Sequence, residues 1–113
     1  RLFYGRGMIL IVVKWPIKPE QADRWPELSA EFTAATRAEP GNKWFDWSRS
    51  LDDPTTYVLV EAFEDDAAEA HVTSDHFRKA QADLPQYLVR TPDIINATID
   101  ADEWSTLGEF PVE

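Results

Sequence analysis

The sequence predicts a single α+β domain in which β-α-β-β-α-β elements form a four-stranded antiparallel sheet, the ferredoxin-like plan. Three observations lead there. Four segments of strand length carry apolar runs or strict alternation. Between the first and second, and again between the third and fourth, the apolar period lengthens to three or four residues. Proline, glycine and aspartate punctuate every boundary.

The first strand is the run Met8 to Trp15, rich in Ile and Val as suits a strand covered on both faces, and Pro16 and Pro19 end it. From Glu20 to Ala38, Ala22, Trp25, Leu28, Phe32 and Ala35 recur as on one helix face. Pro26 interrupts that face, so either the helix kinks or Pro26 lies in the first turn of a helix that starts late. Glu39-Pro40-Gly41-Asn42 is a stop and turn. Lys43 to Leu51 returns to alternation, with Phe45 and Trp47 on one face and Trp44, Asp46 and Ser48 on the other. After the turn at Asp52-Asp53-Pro54, Thr55 to Phe63 places Tyr57, Leu59, Glu61 and Phe63 opposite Val58, Val60 and Ala62; the short link predicts an antiparallel hairpin. Asp66, with Glu69 three residues on, has capping-box spacing for a short helix over about 67–72. Thr73 or Ser74 can cap a second helix through Leu84, which Pro85 stops. Asp93 to Ile99 is the last strand.

With helices on one sheet face only, the other face needs a cover, and a second copy of the chain is the simplest. The tail from residue 101 to 113 is acidic yet carries Trp104, Leu107 and Phe110, which predicts that it docks on that dimer. The domain is expected over 8–100. Residues 1–7 read as a leader or cloning remnant.

Bulk properties remove several function classes. At a net charge of −10 the chain is repelled by phosphate backbones and anionic lipid, so neither nucleic acid nor membrane is an expected partner. With no cysteine there is no disulfide, thiolate metal site or Cys nucleophile. The Met8–Val13 run is too short to cross a bilayer or to act as a secretory core, and a cytoplasmic location is expected.

Taken in order, the segments MILIVVKWPIKPE, TRAEPGN, WSRSLDDPTTYVLVEAFED and AEAHVTSDHF resemble the antibiotic biosynthesis monooxygenase family. The most telling parts are EPG before a strand, the YVLVEAFED strand and the HxxxxHF spacing. The resemblance covers about Met8 to Ile99 and implies a dimeric α/β barrel with a pocket in each subunit between sheet and helices. It also implies oxidation of an electron-rich aromatic (a quinol, an anthrone or a polyketide-like phenol) by molecular oxygen, without metal, flavin or other cofactor. In that chemistry a phenol loses its proton and the anion gives an electron to oxygen directly, while the protein supplies an apolar cavity and a polar group that favours the anion. Two departures stand out. The haem-degrading branch carries a His four residues after the Phe of the second helical region; that position here is Gln81, so haem degradation is not expected. Phe63 stands where quinol-oxidising relatives usually have Trp.

His71 and His76, the two histidines of the chain, are the candidate bases or donors to a substrate oxygen. Five residues apart they do not share a helix face, but a break at Thr73-Ser74 lets both turn inward. The plainer alternative is a satisfied helix residue and a surface cap. Their spacing, even with Asp75, matches no standard metal site, and none is expected. Tyr57 is the third catalytic candidate, since a buried phenol must find a hydrogen-bond partner. Trp15, Phe45, Trp47, Phe63 and Phe77 are the candidate substrate-binding aromatics, with core packing as the alternative for each. Arg49 and Glu61 lie within strands and are expected in structural ion pairs. A non-catalytic dimeric module that binds a small ligand or serves a stress response is the alternative function, and an oxygen-independent cyclase or decarboxylase a third.

Overall fold

Backbone pairing puts the four expected strands into one antiparallel sheet in the order β2-β3-β1-β4 in the computed structural model, which describes residues 7–113. The strands are β1 (Met8–Pro16), β2 (Asn42–Arg49), β3 (Thr56–Glu64) and β4 (Asp93–Ile99). Nearly all of the expected leader over 1–7 lies outside the described residues. Register follows from the alternation. Ile11 of β1 pairs with Glu61 and Asn96, and Trp15 pairs with Tyr57, so one face carries Ile11, Val13, Trp15, Phe45, Trp47, Tyr57, Leu59, Glu61 and Phe63. That face packs under the helices, and Val13, Phe45, Tyr57 and Leu59 from it join Trp25, Phe32 and Leu84 in the buried core.

The first helical segment is broken rather than kinked. A 3-10 turn over Pro19–Arg24 leads into α1 (Trp25–Leu28), where Pro26 lies in the first turn and costs no intrahelical hydrogen bond. Ser29 then leaves helical geometry and α2 (Ala30–Arg37) follows. Here the Ser29 hydroxyl donates to Trp25 O at 2.8 Å and the Thr33 hydroxyl to Ser29 O at 2.8 Å, carbonyls that also accept from Ser29 N and Thr33 N. The break lets Trp25 enter the core fully buried, its ring 5.5 Å from Trp15 and 5.7 Å from Trp47.

The second helical region also comes in two pieces, α3 (Ala68–Val72) and α4 (Asp75–Asp83). Ser74 caps α4 and accepts from Phe77 N at 3.2 Å, as its position predicts. The expected capping box at Asp66 does not form. Ala67 is the residue before α3, and no side chain caps it. Its place is taken by close packing: the turn after α2 lies so near the start of α3 that a Cβ on Gly41 would stand 2.2 Å from the Ala67 methyl. Gly41 O accepts from Glu64 N at 2.8 Å, and Asn42 N donates to Glu39 O at 3.1 Å. Glycine is required at 41 because the Ala67 methyl occupies the space that a Cβ would take.

The opposite sheet face carries Leu10, Val12, Val58, Val60, Ile95 and Ala97 by register. Trp44 lies on that face with the Trp104 ring 5.4 Å away, while Ile95, Leu107 and Phe110 are exposed. No described helix is long and apolar enough to cross a membrane.

Gly41→Ala is therefore expected to lower the free energy of unfolding in urea by about 1–3 kcal/mol, and Ala67→Gly in the same chain to restore most of it. An unchanged unfolding midpoint in the single variant would mean that the turn yields freely.

Candidate functional site

Between the sheet and the second helical region lies a cavity of about 440 Å³, a size that fits one small aromatic molecule. Its walls are apolar. Ile11, Val13 and Trp15 come from β1, Phe32 from α2, Phe77 and Ala80 from α4, and Leu84, Leu88 and Ile94 from the chain that returns to the sheet. Val72, Gln81, Thr91 and Ile94 are exposed, whereas Glu61 and His71 are buried.

The break at Thr73-Ser74 does what the spacing predicts. With α3 and α4 separate, His71 and His76 both turn inward, and their rings lie 6.1 Å apart. They meet on Glu39, the last residue before the Pro40-Gly41 turn. His71 Nδ1 lies 2.8 Å from Glu39 Oε2, and His76 Nε2 lies 2.5 Å from the same oxygen. A carboxylate only accepts, so both imidazoles donate to it. The proton of neutral His71 is thereby fixed on Nδ1, leaving a lone pair on Nε2. Phe63 stacks at 4.8 Å and Phe77 packs edge-on at 5.0 Å, so the ring cannot swing.

His71 Nε2 faces Glu61, whose Oε1 is 3.8 Å away, too far for a hydrogen bond. That oxygen is buried and has no hydrogen-bond partner among the described residues. Burial, with a smaller push from the Glu39 charge, raises the Glu61 carboxyl to about 8, so it is largely protonated at neutral pH. Burial also lowers His71 below the ordinary imidazole value; the hydrogen bond and charge of Glu39 oppose this only in part, and His76 adds to the lowering. At neutral pH the site thus combines a neutral imidazole with a free lone pair and an uncharged carboxylic acid, side by side at an apolar cavity. Such a pair can accept a proton from one ligand oxygen and donate a hydrogen bond to it.

Glu39, His71 and His76 are also residue types that hold divalent cations, their candidate ligand atoms all lying within 4.8 Å of one another. Here the Glu39 oxygen sits between the rings and accepts from both, so an ion would have to displace two N–H protons.

The sequence-predicted residues divide. Trp15, Phe77 and His71 line the cavity, and the buried Trp15 Nε1 has no partner among the described residues. Phe63 and Phe45 support the His71 ring, at 4.8 and 6.3 Å, without lining the cavity. His76 stands behind His71 on Glu39. Tyr57 and Trp47 are not brought there. The Tyr57 hydroxyl donates to Ala22 O at 2.8 Å, which uses its polar handle structurally, and Trp47 Nε1 donates to Thr33 Oγ1 at 2.9 Å. Nor do Arg49 and Glu61 pair: Arg49 bridges to Asp23 at 2.9 Å and lies over the Tyr57 ring. Glu39 and Glu61 were not among the expected site residues. The one signal for Glu61 was a carboxyl on the Tyr57-Leu59-Phe63 face, where alternation demands apolar groups.

The raised Glu61 value has a sign. The folded state keeps a proton that the unfolded chain releases above its ordinary value of 4.5, so this group's contribution to stability falls as pH rises from 4.5 through about 8. Glu61→Gln should remove that slope and be more stable than the unmodified chain by on the order of 2–4 kcal/mol at pH 8, with little difference at pH 4. Urea unfolding of both proteins across this range checks it; parallel pH profiles would show that Glu61 ionises freely.

Comparison with known proteins agrees with the architecture. Residues 8–83 match the family model described as antibiotic biosynthesis monooxygenase. The chain is 25% identical over 93 residues to the Bacillus subtilis protein YcnE, a provisionally named monooxygenase, a match spanning 81% of this chain and 98% of that one. Among solved structures, a provisionally named antibiotic biosynthesis monooxygenase from Nitrosomonas europaea superposes with a TM-score of 0.75 at 25% identity, over 85% of this chain and 93% of the other. One from Caulobacter crescentus gives 0.75 at 26%, over 88% and 94%. A conserved protein from Methanosarcina mazei shares the fold at 0.76 and 23%, over 86% and 97%. The chain belongs to the antibiotic biosynthesis monooxygenase family.

Proposed function

We propose that this chain is a cofactor-independent monooxygenase that oxidises an electron-rich phenolic aromatic, such as a quinol or an anthrone in its enol form, with molecular oxygen. One observation carries the reading: an apolar cavity of aromatic size meets an imidazole whose free nitrogen is fixed by a carboxylate behind it. His71 Nε2 takes the phenolic proton, and Glu39 stabilises the imidazolium that results. The phenolate then passes one electron to oxygen. The aryloxyl radical and superoxide combine at a ring carbon, and the peroxide loses water to leave a carbonyl. For a ring methylene the balance is CH2 plus O2 to C=O plus H2O, all four electrons coming from the substrate. Apolar walls keep bulk water from reprotonating the anion.

The test is oxygen uptake with a panel of quinols and anthrones. The unmodified chain should exceed the spontaneous rate. His71→Ala should reduce catalysed uptake by 10²–10⁴-fold, and Glu39→Gln, which keeps shape but loses charge, by about 10-fold. A bound aromatic in native mass spectrometry without any oxygen uptake would favour the alternative of a small-ligand-binding module. Substrate consumption without oxygen would point to cyclase or decarboxylase chemistry.

The reading includes a homodimer closed over the open sheet face. Ile95, Leu107 and Phe110 are 75%, 65% and 76% exposed, apolar surface that a lone chain leaves in water. Light scattering at micromolar protein should give twice the mass of one chain, and deletion from Asp102 onward should weaken association. A monomer mass for the intact chain would remove this part of the proposal.

A further inference from the structure

We infer that Glu61 is a catalytic residue that acts as an uncharged carboxylic acid, donating a hydrogen bond to the same substrate oxygen whose proton His71 accepts, so that the site binds phenols as their anions. This rests on the phenol reading of the cavity above and adds a residue that it leaves unused.

Position comes first. Glu61 is 5% exposed and lies between Leu59 and Phe63 on the helix-facing side of β3, where neighbours of its face are apolar. A carboxyl left there without a partner costs free energy that Leu or Val would not, which argues for a use. Cations nearby are committed elsewhere: Arg37 donates to Phe45 O and Arg49 pairs with Asp23. The groups that face Glu61 are His71 from α3 and, behind it, Glu39 and His76. Among these, Glu39 opposes a negative charge on Glu61 and His71 is neutral. The acid form is the one that suits this position.

The juxtaposition matters next. Two groups 3.8 Å apart cannot satisfy each other, yet both border the same cavity. A phenol oxygen placed against them donates to His71 Nε2 and accepts from the Glu61 O–H. After proton transfer the imidazolium stands on Glu39, and the phenolate keeps the Glu61 hydrogen bond, now charge-assisted and stronger. The donor therefore favours the anion over the phenol, which is the form that gives up an electron.

A binding experiment without oxygen tests this apart from turnover. The probe is 4-nitrophenol, which ionises near neutral pH, absorbs visible light as the anion and is too electron-poor to oxidise. Bound to the unmodified chain, it should ionise about 1 pH unit lower than in solution. Glu61→Leu should abolish that shift. Glu61→Gln keeps a neutral donor and should retain it. As pH rises through about 8 the unmodified chain should lose affinity for the anion at least about 10-fold, because Glu61 becomes a carboxylate, while Glu61→Gln should not. His71 is present in both chains, so the comparison between them isolates the Glu61 step. The inference is overturned if the probe binds as the neutral phenol, if it fails to bind, or if Glu61→Gln loses anion affinity with the same pH profile as the unmodified chain. Anion binding through Glu61 with no oxygen uptake on any quinol would keep this inference and remove the monooxygenase reading; uptake with a Glu61-independent probe would do the reverse.

Discussion

The site depends on one oxygen atom. Glu39 Oε2 accepts from His71 Nδ1 and His76 Nε2, and those contacts join three pieces of chain distant in sequence: the turn after α2, the short helix α3 and the start of α4. Without that acceptor the His71 ring has no reason to choose a tautomer, and its Nε2 no reason to present a lone pair to the cavity. The turn that carries Glu39 is in turn held by close packing. Gly41 lies against the methyl of Ala67, the residue before α3, and its carbonyl is tied to the end of β3. A steric requirement at one glycine thus fixes a proton on an imidazole thirty residues away.

How much of this was legible follows from what sequence periodicity can carry. Strand alternation reports which face a side chain takes, and it placed Phe45 and Trp47 opposite Trp44, and Glu61 with Tyr57, Leu59 and Phe63, as found. It does not report distance along the strand. Tyr57 and Glu61 share a face but are four residues apart, about 13 Å, so one reaches Ala22 O beyond the cavity while the other borders the cavity itself. The same limit affected Trp47. The histidine pair was legible because the break between the helices is a local event, marked by Thr73-Ser74, and Ser74 caps α4. Asp66 offered capping-box spacing and no cap formed there, because α3 starts against the Gly41 turn instead.

Glu39 was hidden for a different reason. In the sequence it is the first letter of a helix stop, and Pro40 and Gly41 account for that stop fully, so nothing local requires a carboxylate there. Its partners lie 32 and 37 residues on. A contact of that length has no periodicity to betray it. Glu61 is the intermediate case: it violated an apolar pattern, and such a violation in a core-facing strand marks either an ion pair or a site. Its geometry excludes the first at Arg49, which is already bonded to Asp23.

These two glutamates divide the electrostatic work, though they are chemically identical. Glu39 receives two N–H donors and stands behind the imidazoles, where its charge is compensated. Glu61 receives none, lies among apolar side chains and faces the charge of Glu39, so it keeps its proton. Burial has pushed Glu61 toward its protonated form, so Glu39 accepts from the imidazoles and Glu61 stands as an acid beside them. The cost of the second is carried by the rest of the core, chiefly the packed rings of Trp15, Trp25, Phe45 and Phe63, whose burial offsets one unsatisfied carboxyl. Glu61→Leu would remove that cost and leave the cavity with an imidazole and no acid beside it.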